Sequence, residues 1–243
     1  MDRATCTWEN RKPFLSNETP IDVAAIDAPL VPRGCLDQRS CETLFSCGAF
    51  QRRCKPGMSH VRGTGQKLRA AGTQTAEQLG RSVSGKDLHK EFPRIYSNKN
   101  LVEAFPNAYL GVLLPESTYG RVGKISRGKK FDWLYEQCVS ADLFPQILDT
   151  VKVSRRRHFL DNLRTNRNHD ERAALVCLLT AAGVAAGKYT AFGNAEAGYI
   201  FLPPWEHWQG WAKEALACGQ ARCGDTDMWI DGQRFSCFGA FGK

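Results

Sequence analysis

Three carboxylates in this 243-residue sequence stand where side chains can do chemistry. Asp27 lies near the end of the apolar run Ile21-Asp-Val-Ala-Ala-Ile-Asp-Ala-Pro-Leu30, and Glu103 lies within Leu101-Val-Glu-Ala-Phe-Pro106. Both runs are short, apolar and stopped by proline, so each reads as a buried strand presenting a carboxylate toward its carboxyl end. Asp170 falls in the first turn of a predicted helix opened by Asn168-His-Asp-Glu171. If the strands are neighbours and the helix packs across them, the three carboxylates meet at one sheet edge, where their repulsion calls for cations. Two Mg²⁺ or Mn²⁺ ions about 3.5–4 Å apart, held by such oxygens, activate water and stabilise the leaving oxygen of a phosphodiester. A purely structural arrangement competes with this one. In it Asp27 caps the turn at Pro29, Glu103 pairs with a nearby Arg, and Asp170 favours the positive end of its helix.

Basic residues supply the matching chemistry. Arg52, Arg53, Lys55, His60 and Arg62 lie in Arg52-Arg-Cys-Lys-Pro-Gly-Met-Ser-His-Val-Arg62. Arg and Lys neutralise phosphates, a glycine turn lets backbone amides approach them, and His60 can bond or shuttle a proton. The alternative is a surface loop with a structural His60. Residues 33–94 carry 12 basic and 5 acidic side chains, 121–130 carry 5 and none, and 152–167 carry 6 and 1, including Arg155, Arg156 and Arg157. The whole chain is only +8, so the remainder is acidic. Such segregation produces a basic face for a polyanion if the stretches converge, or solvated loops if they do not. Trp205, Trp208 and Trp211 can stack bases, although aromatics at this spacing more often belong to a core.

The elements that must position these groups alternate between strand and helix, which indicates an α/β fold. Gly198-Tyr-Ile-Phe-Leu-Pro203 is a third strand. Leu68, Ala71, Thr75, Ala76 and Leu79 share one helical face, as do Phe131, Leu134, Tyr135 and Cys138. The helix from Asn168 has an Asn cap, is apolar nearly all round and is closed by Gly187, so it is expected to be central. A last helix is expected over Trp205, Trp208, Ala212 and Ala215. From Cys218 the chain reads as an irregular tail, giving an N-terminal remnant 1–19, a domain 20–216 and a tail 217–243.

Composition is that of an ordinary globular chain, with 42% hydrophobic and 24% charged residues. The longest uncharged run, 173–187, is too short for a spanning helix, and no secretory signal opens the sequence, so a cytoplasmic protein without membrane association is expected. Ten cysteines then read as free thiols. Cys35, Cys41, Cys47 and Cys54 lack the spacing of a structural zinc site; Cys218, Cys223 and Cys237, with His207 as a fourth ligand, are slightly better spaced, against free buried thiols.

Five segments, in order, resemble a known family: Val23-Ala-Ala-Ile-Asp-Ala-Pro-Leu30, Arg39-Ser-Cys-Glu42, Leu101-Val-Glu-Ala-Phe-Pro106, His169-Asp-Glu-Arg-Ala-Ala-Leu-Val-Cys177 and Gly193-Asn-Ala-Glu-Ala-Gly-Tyr-Ile-Phe-Leu-Pro203. Over about residues 20–203 the chain is similar to domain-of-unknown-function family 429, predicted nucleases assigned a ribonuclease-H-like fold. The resemblance implies a mixed sheet flanked by helices and a metal-dependent hydrolase of nucleic-acid phosphodiesters. Asp27, Glu103 and Asp170 would be its catalytic metal ligands, Glu171 would substitute or assist, and Mg²⁺ or Mn²⁺ would be the cofactor. Ribonuclease-H-like enzymes also place a metal-bridging Asp on a first strand, and only 26 residues precede Asp27. The first strand and its Asp are therefore expected to be missing, which leaves a catalytically incomplete nucleic-acid-binding protein as the alternative function.

Overall fold

The structure is a computed structural model that describes residues 21–31, 38–54, 59–84, 99–120, 125–220, 223 and 226–236. A six-stranded mixed sheet runs through it in the order β1-β2-β4-β3-β5-β6. The strands are β1 (Ala24–Ile26), β2 (Leu101–Ala104), β3 (Thr190–Asn194), β4 (Gly198–Leu202), β5 (Asp227–Ile230) and β6 (Gln233–Ser236). β1, β2 and β4 are parallel, whereas β3 is antiparallel to both β4 and β5, and β5 to β6. The α/β expectation with a mixed sheet and flanking helices thus holds.

The helices are α1 (Ser40–Phe45), α2 (Gly48–Arg53), α3 (Thr64–Leu79), α4 (Pro106–Gly111), α5 (Glu116–Gly120), α6 (Lys130–Ser140), α7 (Phe144–Val151), α8 (Arg156–Thr165), α9 (His169–Ala185) and α10 (Gly210–Gln220). No helix among the described residues is long and apolar enough to cross a membrane.

Strand alternation sorts the core into two faces. Phe192, Ile200, Leu202 and Met228 pack with α1, α2 and α10 on one face, while Ala191, Tyr199, Phe201 and Trp229 meet Ala181 and Val184 of α9 on the other. Fully burying each large side chain stabilises the fold by about 1.5–3 kcal/mol. A further, all-helical core joins α4, α6, α7, α8 and α9 through Leu110, Leu134, Ile147, Leu163 and Val176. α9 is therefore central, as its sequence predicts. Asn168 Oδ1 accepts hydrogen bonds from the amides of Asp170 and Glu171, and Gly187 takes the left-handed conformation just beyond its end.

Two expectations are corrected. The region after Cys218 is not wholly irregular, because β5 and β6 extend the sheet beyond β3. Asp231 and Gly232, both at positive φ, make the two-residue turn between them. The last helix starts at Gly210 rather than Trp205; Trp205–His207 forms only a 3₁₀ turn. Trp208 and Trp211 are buried and donate their indole N–H groups to the carbonyls of Pro203 and Leu114, so these two rings belong to the core.

Candidate functional site

The parallel pairing of β1 and β2 places Ile26 opposite Glu103, so Asp27 lies one residue beyond, where the strands end. The crevice outside the carboxyl ends of parallel strands is the usual ligand position in open α/β sheets. Here it is a cavity of about 640 Å³ lined by residues that include Asp27, Pro29, Arg39, Glu42, Ser59, Arg62, Glu103 and Phe105.

Glu103 is fully committed. Its Oε2 accepts from Arg39 Nη1 at 2.7 Å and from the Leu30 amide at 2.8 Å, and its Oε1 accepts from Arg39 Nη2 at 2.8 Å. Arg39 also donates through Nε to Glu42 Oε1 at 3.0 Å. Glu42 in turn accepts from Ser59 and from Arg69, and Nδ1 of His60 stands 3.7 Å from it. Burial opposes the Arg39 charge, but Cys41, Glu103 and Glu42 around it hold its pKa well above the ordinary value. Burial likewise raises the Glu103 carboxyl, against the pull of Arg39. For Glu42 the burial effect is outweighed by Arg39, Ser59 and Arg69, which bring its carboxyl below the usual range. Charged donors and acceptors that answer one another this closely form a rigid floor.

Close backbone approaches hold that floor in place. A Cβ on Gly72 of α3 would lie 2.4 Å from the Pro29 carbonyl oxygen, and one on Gly198 would lie 2.3 Å from that of Leu30. Only residues without a side chain let α3 and β4 come this near the turn that follows Asp27.

Asp27 differs from the other two carboxylates. It is accessible at the cavity mouth, yet the surrounding protein desolvates it and Glu103 repels its charge. Together these effects push its pKa from 3.8 to about 6, against the opposing charge of His169. A carboxyl poised there exchanges a proton near neutrality. Its raised value also sets the sign of a pH effect. The folded state binds the extra proton between about pH 4 and 6, so this contribution is fully present below that window and is lost as pH rises through about 6. Asp27→Asn is expected to remove that loss, shrinking the fall in unfolding temperature between pH 4 and 7 relative to wild type. An equal fall in both proteins would show that Asp27 is unshifted.

The other sequence candidates divide sharply. Asp170 is exposed on the first turn of α9, where the Asn168 cap and the helix dipole account for it. Glu171 accepts from Asn166 Nδ2 at 2.6 Å. Among the described residues no three His, Cys, Asp or Glu side chains are grouped to hold a metal. With Glu103 bonded to a guanidinium that repels cations, the described residues do not assemble the two-ion centre expected from sequence. The same holds for zinc at His207, which instead shares a 2.8 Å hydrogen bond with Thr150 Oγ1. Cys35 and Cys237 lie outside the described residues. Burial pushes Cys41, Cys54 and Cys177 up to about 12, so these thiols are not nucleophiles near neutral pH.

Of the basic candidates, Arg62 lines the cavity and has no ion-pair partner among the described residues, and Arg52 is exposed. Arg53 is drawn away by Glu116 and lies over the Trp211 ring, 4.5 Å from its centroid. Lys55 lies outside the described residues. Arg155, Arg156 and Arg157 are exposed at the start of α8, with Arg156 paired to Asp149 at 2.7 Å. Within the basic stretches Arg39, Arg69 and Lys130 are buried, so these three cations do not contribute to a free basic face.

Sequence reasoning gave no role to Arg39 and Glu42. The Arg-x-x-Glu spacing at a helix start was the available signal, since i and i+3 side chains meet there. Compared with protein-family models, curated proteins and solved structures, the chain matches none.

Proposed function

We propose that the chain binds nucleic acid at the Asp27 cavity and hydrolyses phosphodiester bonds there, as the similarity of its segments to the family of predicted nucleases suggests. The observation that carries this reading is Asp27, the one carboxyl among the described cavity residues without a committed partner, which stands at the cavity mouth with a pKa of about 6 and Arg62 on the same rim. Ionised Asp27 takes a proton from an attacking water, and Arg62 neutralises a phosphate oxygen. The uncapped first turn of α3, with Thr64 and Gly65 in the cavity wall, adds amides suited to the same anion. A divalent ion, where one takes part, would find Asp27 as its carboxylate among the described residues, and no step above depends on it.

The test is incubation of the protein with single- and double-stranded DNA and RNA, with and without Mg²⁺ or Mn²⁺, across pH 5–8. Cleavage that rises through about pH 6 and falls to background in Asp27→Asn supports the proposal. Cleavage unaffected by this substitution overturns it. Commitment of Glu103 to Arg39 favours a second reading, nucleic-acid binding without cleavage, and retention of an oligonucleotide that stays intact would select it.

A further inference from the structure

The cavity is charged beneath and apolar around its opening. Val61 is 45% exposed and Leu68 44% exposed, and both line this cavity. Phe105 stands in the same wall and is held edge-on against Phe45 at 6.0 Å between ring centroids. Below them the charges of Glu103 and Glu42 are answered by Arg39 and Arg69. A phosphate gains nothing on that floor and would face three carboxylates, Asp27, Glu42 and Glu103. A neutral, flat ring with polar edges fits both the apolar walls and the polar base, and the volume of about 640 Å³ is that of a site for a single small ligand.

We infer that the cavity takes one unpaired base of a nucleic-acid strand, its faces against Val61, Leu68 and Phe105 and its N–H edge toward Asp27, with the adjoining phosphate left at the mouth near Arg62. This inference rests on the nucleic-acid reading above and narrows it. A base stacked inside a duplex cannot enter, so the preferred substrate is a single strand or a strand end. Contacts to the faces of bases tolerate any sequence, since every base has a π-face.

Fluorescence anisotropy at low salt tests the inference with three probes: a short single-stranded oligonucleotide, a blunt duplex of the same sequence, and the same phosphodiester chain with abasic sites throughout. The single strand is expected to bind about tenfold more tightly than the abasic chain and more tightly than the duplex. Leu68→Ser and Val61→Ser replace exposed side chains, so the fold tolerates them. Each is expected to weaken the single strand severalfold while leaving abasic binding unchanged. Equal affinity for the single strand and the abasic chain overturns base capture and leaves nucleic-acid binding standing. Failure of all three probes to bind overturns both.

Discussion

Replacing Arg39 with Met is expected to destabilise the protein by about 3–5 kcal/mol, because it leaves the buried Glu103 without a cation and takes one of two from Glu42. The Arg39 side chain is 1% exposed and bonds both oxygens of Glu103 as well as one of Glu42. After the substitution Glu103 keeps only the Leu30 amide, and Glu42 keeps Ser59 and Arg69. Urea unfolding measures the loss, and a change below about 1 kcal/mol would show that the carboxylates find other partners. Arg39→Met combined with Glu103→Leu is expected to recover part of the loss, since an apolar pair does not leave a lone buried charge.

Gly198→Ala is expected to cost roughly 2–5 kcal/mol, combining strain at φ +92° with overlap against backbone. The added methyl would lie 2.3 Å from the Leu30 carbonyl, and that residue's amide holds Glu103. The damage therefore reaches the cavity floor as well as β4. Gly210→Ala serves as control, because a methyl there meets nothing within 4 Å. Thermal unfolding of the two variants checks the pair, and equal melting temperatures would show that the β4 approach relaxes at little cost.

Periodicity and punctuation made much of the fold legible. The helical periodicity of α3 and α6 and the capped, Gly-terminated α9 were visible because their signals are local, but the face expected of α3 is not the one it buries: Gly65, Arg69, Gly72 and Ala76 are buried while Leu68 and Ala71 are exposed. The short runs of β1, β2 and β4 were visible for the same reason. β3 was hidden, since Thr190-Ala-Phe-Gly-Asn194 contains two residues typical of turns. Gly193 is required there: a Cβ would meet the Gly198 carbonyl oxygen at 2.0 Å. β5 and β6 were masked by the Cys, Gly and Asp content around them, although Asp231-Gly232 after the run Met228-Trp-Ile230 is a strong hairpin signal.

The site was legible only in part. Asp27 and Glu103 were both legible as carboxylates near the carboxyl ends of short apolar strands, and the parallel register sets Asp27 one residue beyond the partner of Glu103. The partner of Glu103 could not, because Arg39 is 64 residues away and nothing local reports that contact. Asp170 looked equivalent to the other two by its place in the sequence, but the first turn of α9 leaves it in solvent.

The order of pairing in the sheet bears on how the chain is made. β3 and β4 are joined through the three residues 195–197, whereas the partners Ile26 and Glu103 are 77 residues apart and Glu103 and Ile200 are 97 apart. Closing the longer loops costs about 3 kcal/mol more in chain entropy than closing the hairpin. During synthesis β1 and β2 emerge well before β4, so the nascent chain carries β2 with one hydrogen-bonding edge unpaired until the segment holding β4 leaves the ribosome. The Asp27 cavity, whose wall includes Ile200 of β4, is completed only then.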